Sequence, residues 1–209
     1  MITLIGDVHG KYKDYFDIVQ QHPYTLQLGD FGFNYDILDK LDTNKHRVLR
    51  GNHDNYDVSH PNLLDDFGQL TIGGLDLYYV RGGHSLDKKS RLLYQAYNNK
   101  KIWWEEEELT YSQSLKALKD YEKNKPKIVV THTCPASISE IVGNTNILLS
   151  FGLHQDWCSN TQRLLQAMLD IHKPDLWVFG HFHRDWSAII DGVQYQCLDE
   201  LSILKVNNN

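Results

Sequence analysis

"VVTHTCPAS", residues 129–137, puts a histidine at the end of an apolar run, where a buried strand gives way to a loop. Taken alone, His132 is an ordinary loop residue, but four other runs of the same build change that reading. "ITLIG" (2–6), "TLQLGD" (25–30), "HRVLRGNHD" (46–54) and "DLWVFGH" (175–181) are also short, β-rich and closed by glycine and polar residues, as is "KIVVTH" (127–132) itself. Helix-like segments lie between several of them: "KYKDYFDIVQQ" from 11, "YDILDKL" from 35, "TYSQSLKALKDYEKN" from 110 and "NTQRLLQAMLDIH" from 160. This alternation predicts an α/β layered fold. Two further stretches read as hairpins, 68–83 around Gly73 and Gly74, and 186–198 around Asp191-Gly192. Antiparallel strands therefore join the parallel ones, which predicts two mixed β-sheets packed as a sandwich flanked by helices, a four-layer arrangement. One domain is expected over 1–205, with 206–209 a frayed C-terminal end.

The bulk properties narrow the function. A chain of 209 residues can bury a sizeable core. Twenty-seven acidic against 21 basic residues give a formal charge of −6, so no broad basic field invites nucleic acid, which is left only as a substrate class. Cys134, Cys158 and Cys197 are scattered and odd in number, which excludes a disulfide framework or thiolate zinc site and suits a reducing cytoplasm. No run has the length of a membrane span, and "MITLIGDVHG" has no basic leader, so the chain reads as soluble, unexported and without a membrane partner.

The chemically unusual residues share one kind of place. Asp7 and His9 follow the first run, Asp30 closes the second, Asn52, His53 and Asp54 close the third, His132 the fourth, and His181 and His183 the fifth. Loops beyond the carboxyl ends of strands converge on one rim of an α/β sheet, where ligands bind. Asp and His donors with an Asn carbonyl suit divalent first-row ions: Mn²⁺ first, with Fe²⁺ or Zn²⁺ also accommodated. Two such ions would neutralise the acids and create the positive field that the net charge does not provide. If locally extended, Asp7 and His9, or His181 and His183, would point the same way.

The ordered set "GDVHG", "GD", "GNHD", "TH" and "GHFH", spanning 6 to 183, resembles the calcineurin-like metallophosphoesterase superfamily. The resemblance implies that Asp7, His9 and His183 hold one metal, that Asn52, His132 and His181 hold a second, and that Asp30 bridges them. It implies hydrolysis of phosphomonoesters or phosphodiesters by a metal-bridging hydroxide, with His53 near the scissile phosphate as a hydrogen-bond or proton donor. The alternatives are a serine/threonine phosphoprotein phosphatase and a catalytically silent metal-binding scaffold.

Two features depart from the family pattern. Many relatives carry Gly-Asp-x-x-Asp, whose second acid orients the histidine; here the run is "GDFGF" and Phe33 stands at that position. Asp54 is the neighbouring candidate to orient His53, or to cap the following turn. The protein phosphatases also carry an Arg-Gly pair just after that acid, where this chain has "FNYD", which favours phosphoester hydrolysis over dedicated protein dephosphorylation. "RGGHSLDKKSR" followed by "WWEEEE" is similar to a segment of a bacterial and phage subgroup of the superfamily. It offers Arg81, His84, Lys88 and Arg91 as phosphate contacts, His84 foremost, and Arg50 precedes the Asn-His motif as another. Trp103 and Trp104 read as core and edge packing, and the glutamates at 105–108 as a solvated helix start. The long connection 133–160, with His154 and Asp156 near its end, reads as a cover for the site.

Overall fold

The apolar runs and hairpins all become strands in the computed structural model, which describes residues 1–207. In chain order the elements are β1 (Ile2–Ile5), α1 (Tyr12–Val19), β2 (Thr25–Gln27), β3 (His46–Val48), the hairpin β4 (Phe67–Ile72) and β5 (Leu75–Val80), α2 (Lys88–Asn98) and α3 (Tyr111–Asn124). Then come β6 (Ile128–Thr131), α4 (Ala136–Val142), α5 (Thr145–Ser150), α6 (Asn160–Ile171), β7 (Leu176–Phe179), the hairpin β8 (Trp186–Ile190) and β9 (Val193–Cys197), and β10 (Ile203–Val206). Both hairpins turn on two residues of positive φ, Gly73 and Gly74 in one and Asp191 and Gly192 in the other, the backbone that matches strand twist.

One sheet has the order β10-β1-β2-β3 and the other β4-β5-β6-β7-β9-β8. Strands β1, β2 and β3, and likewise β5, β6, β7 and β9, run parallel; β10, β4 and β8 are antiparallel edges, and β3 is the parallel edge of the smaller sheet. Side-chain alternation explains the layers. Leu4, Leu26, Leu77, Val130 and Val178 meet between the sheets. The opposite faces of β5, β6 and β7 send Tyr78, Val129 and Trp177 against Ala117 and Tyr121 of α3 and Leu165 and Met168 of α6. On the far side of the smaller sheet, Ile5 and Val48 pack on Tyr15 and Val19 of α1. The result is the expected sandwich of two mixed sheets between helices.

Several elements differ from the sequence expectation. "YDILDKL" forms only a 3-10 segment, Asp36–Lys40. The glutamate run is a 3-10 turn, Glu105–Glu107, in which Glu107 is buried instead of solvated; α3 starts later, where Thr110 and Gln113 form a capping box. The long connection carries α4 and α5. The helix α2 and the strand β10 carry no sequence signal. Val206, expected in the frayed end, is paired opposite Ile2, and Asn208 and Asn209 lie outside the described residues. Among the described residues, no helix is long and apolar enough to cross a membrane.

Candidate metal centre and active-site cleft

The loops leaving β1, β2, β3, β6 and β7 meet at one rim, and backbone hydrogen bonds fix their order. The Asp30 carbonyl accepts from the backbone N–H groups of Val8 (3.1 Å) and His9 (2.8 Å), and the His132 carbonyl from that of Gly180 (2.9 Å). The local conformation is not extended, as alternation of the ligands would require. His9, Asp30, His181 and His183 have φ of 47°, 55°, 70° and 49°, the left-handed region, at a cost of roughly 1 kcal/mol or more each. Such strain persists only where surrounding contacts impose it, and here it turns all four side chains into one cluster.

Two donor groups result. Asp7, His9, Asp30 and His183 form the first, and Asp30, His132 and His181 the second. In the first, His9 Nε2 lies 2.9 Å from His183 Nε2, 3.6 Å from Asp7 Oδ2 and 3.7 Å from Asp30 Oδ2, and His183 Nε2 is 3.3 Å from Asp7 Oδ2. In the second, His132 Nε2 lies 3.0 Å from Asn52 Oδ1, 3.2 Å from Asp30 Oδ1 and 3.2 Å from His181 Nδ1. Asp30 is common to both groups, one oxygen in each.

The chemistry of the second set fits a cation. His132 Nδ1 donates to the Leu28 carbonyl at 2.9 Å, which leaves Nε2 as the coordinating nitrogen. The Asn52 Nδ2 amide donates to Ser85 Oγ at 3.3 Å, so Oδ1 turns inward. Three electron-rich atoms then surround Nε2 in a fully buried place, an arrangement that needs a metal ion or a proton at its centre. Without a metal the proton serves: burial pushes the His132 imidazole down, but Asp30 and Asp7 outweigh it and raise its pKa to about 9. Burial raises Asp30, yet the charges of His132, His53 and His9 hold it well below the usual carboxylate range. Burial and the neighbouring His132 charge lower His181 to about 3.

His53 lies beside this cluster. Its backbone N–H donates to Asp30 Oδ1 (2.6 Å), and its ring meets that of His9 edge-on at 5.2 Å between centroids. Burial lowers its imidazole; Asp30 pulls it up and Arg91 pulls it down. Together with Asp30, Asn52, His181 and His183 it lines a cleft of about 830 Å³, whose lining also includes Leu148, Phe151, Trp157 and Phe182. The long connection thus supplies one wall of the cleft, Asp156 among its lining residues.

The other candidates separate. His84 lines the cleft, with Nδ1 3.2 Å from Glu108 Oε2 and its ring against Trp157. Arg50 does not line it; Nη2 donates to the Val58 carbonyl (2.7 Å) and the guanidinium covers the Tyr56 ring. Arg81 is tied to Asp66 (2.6 Å) and Lys88 lies over Trp103. Asp54 neither orients the His53 ring nor caps a turn. Its buried carboxylate accepts from the N–H groups of Gly32 (2.9 Å) and Gly51 (2.6 Å) and from Tyr35 Oη (3.1 Å), joining the loops after β2 and β3. Phe33 is exposed against Trp104. Sequence reasoning gave no role to Ser85 or Glu107: the Glu107 carboxylate accepts from Ser85 N (3.0 Å) and Ser85 Oγ (2.6 Å) and so supports the Asn52 amide. The "Ser-x-Asp" and "Trp-Trp-acid" pieces were the available signal, for they are halves of one contact.

Comparison with known proteins places this geometry. The chain is similar in structure to a Thermotoga maritima protein (15% identity, 99% of this chain and 91% of that one, TM-score 0.43) and to the phosphopantetheinyl hydrolase of Mycobacterium tuberculosis (14%, 95% and 89%, 0.47). It is also similar to a candidate 5′-nucleotidase of Staphylococcus aureus (12%, 99% and 51%, 0.54), a likeness of fold. No match was found among curated proteins. The family model described as calcineurin-like phosphoesterase matches residues 1–185, the span that holds all seven candidate ligands and His53, and the chain belongs to that family.

Proposed function

We propose that the protein is a two-metal hydrolase of phosphomonoesters or phosphodiesters. Asp7, His9, Asp30 and His183 would hold one divalent cation, and Asp30, Asn52, His132 and His181 the other. The observation that carries this reading is Asp30, whose Oδ2 lies 3.7 Å from His9 Nε2 while its Oδ1 lies 3.2 Å from His132 Nε2. The pair of cations would supply Lewis acidity for the phosphoryl group, activate water for in-line attack and offset developing negative charge. The Asp30 carboxylate bridges the two places, His132 keeps Nε2 inward through its Leu28 hydrogen bond, and His53 offers an N–H to a phosphoryl or leaving oxygen from the cleft side. Nitrogen and oxygen donors without a thiolate favour Mn²⁺, with Fe²⁺ or Zn²⁺ also suited. The non-phosphate part of the substrate would lie in the cleft, against Leu148 and Phe151, where Glu140 and Asp156 disfavour an extended polyanion. Three free cysteines suit action in a reducing cytoplasm.

The test combines elemental analysis with turnover of nitrophenyl mono- and diesters, nucleotides and phosphopeptides. Chelator should abolish activity, Mn²⁺ should restore it, and Asp30→Asn should lose both metal and turnover. Full activity in metal-free protein, or in Asp30→Asn, would overturn the proposal. Two ions per chain with no turnover across the panel would mark a scaffold, and exclusive cleavage of phosphopeptides a protein phosphatase.

A further inference from the structure

Helix α2 is eleven residues long, and the residue it buries is Arg91. Its Leu93, Tyr94 and Tyr97 are exposed. A helix that buries an arginine instead of an apolar stripe is placed for that arginine. The guanidinium is fixed on three sides: Nε lies 2.9 Å from both Asp87 carboxylate oxygens, Nη1 donates to the Ile102 carbonyl at 3.1 Å, and Nη2 lies against His53 Nδ1 and 2.6 Å from Nε2. Asp87 stands four residues before Arg91, the spacing that pairs side chains along one helix face.

We propose that Arg91, clamped by Asp87, is the positioning residue of His53, taking the place left by the carboxylate that this chain lacks at Phe33. The inference rests on reading the cleft as a phosphoesterase site. Exchanging a carboxylate for a guanidinium reverses the hydrogen bond. A carboxylate accepts from an imidazole N–H, whereas a guanidinium can only donate. Nη2 faces the edge of the ring that carries both nitrogens, so a lone pair on that edge turns toward Arg91. Arg91 thus fixes the orientation of the ring. The ring also meets that of His9 edge-on, and the backbone of His53 is held by Asp30, so Arg91 completes a three-part mount. Among the basic residues of the 81–91 segment, Arg91 is the one in contact with His53, and it reaches the chemistry through that ring.

The experiment compares Arg91→Gln, Arg91→Lys, Asp87→Asn, His53→Ala and the His53→Ala/Arg91→Gln double variant, all Mn²⁺-loaded, on a nitrophenyl ester. Arg91→Gln should lower kcat about 10- to 100-fold with KM within about threefold and metal content unchanged. In the His53→Ala background the same change should cost less than about twofold, because both substitutions remove one unit. Arg91→Lys keeps the charge but loses the planar fork and should recover little. Asp87→Asn should lower kcat in the same direction, and carries the test if Arg91→Gln does not fold. Additive losses, a kcat for Arg91→Gln within about twofold of wild type, or a loss explained by missing metal would each overturn the proposal. If wild type turns over no ester, the functional reading fails first, and the positioning claim is read separately from ring ¹⁵N spectra of the Zn²⁺-loaded protein. The His53 ring signals should shift and broaden in Arg91→Gln and Asp87→Asn relative to wild type, as the ring loses its fixed orientation; identical spectra would sink it.

Discussion

Gly51 shows how little room the proposed metal cage leaves. A Cβ added there would stand 2.3 Å from Asp30 Oδ1 and 2.6 Å from His132 Nε2, both in the proposed bridge between the two metal places. Asp30 and His132 are fully buried, so neither can move aside without giving up its place in the cluster. Gly51→Ala should therefore keep the fold but displace the carboxylate, lowering bound metal below two per chain and activity by about 100-fold, as expected for a misplacement near 1 Å. Elemental analysis beside circular dichroism would check it; two tightly bound ions in this variant would refute the account. At this scale the sequence was most legible where residue type alone announces chemistry. Asp, Asn and His recur as possible ligands at five strand ends, and these side chains lie together. His132 is the sharpest case, because its solitary sequence context hid three partners from other strands. Arg91 and Ser85 were less legible for the opposite reason: a buried arginine or serine acquires meaning only from its tertiary partner.

The segment from β5 to α3 behaves as one supporting element. Its Ser85 and Glu107 hold the Asn52 amide, while its Asp87 and Arg91 hold the next residue, His53. Ser85→Ala removes the hydroxyl between Asn52 and Glu107, freeing the amide to rotate and leaving a buried carboxylate oxygen short of a donor. Outer-shell partners of this kind are worth about 10- to 100-fold in metal affinity, and the unpaired oxygen about 1–3 kcal/mol of stability. The loss should fall on the second ion alone, visible in a metal titration as separation of two steps; equal weakening of both would argue against Asn52 as a ligand. The sequence could not announce α2, since its apolar Leu93, Tyr94 and Tyr97 stay exposed and the residue it buries is an arginine. β10 escaped for a related reason, being a four-residue edge strand with a charged lysine. The glutamate run misled because composition favours solvent for such residues, whereas Glu107 turns in to meet Ser85.

The whole molecule balances two sheets whose apolar faces were readable against a rim whose charges oppose folding. Hairpins at both ends of the larger sheet, visible as Gly-Gly and Asp-Gly turns, distinguished the sandwich from a single doubly wound sheet. The rim gathers two buried carboxylates and several imidazoles, so the metal-free protein should depend on protons there. His132 has its pKa raised from 6.5 to about 9 in the folded chain, so the folded state binds more protons than the unfolded one between those values. That contribution is fully present below pH 6.5 and is lost as pH rises through about 9. Cations bound as proposed would replace the proton and remove the dependence. Melting in chelator should thus fall between pH 6.5 and 9, while saturating Mn²⁺ should hold it up, and the gap should widen with pH. At a thousandfold excess over Kd, metal binding adds about 4 kcal/mol, or about 8–16 °C for a chain of this size. Asp30→Asn, lacking the shared oxygen charge, should lose most of that rise at every pH. A melting temperature indifferent to Mn²⁺ in the wild-type protein would show that the rim is satisfied without cations, and the charge argument from which the metal centre was built would fail with it.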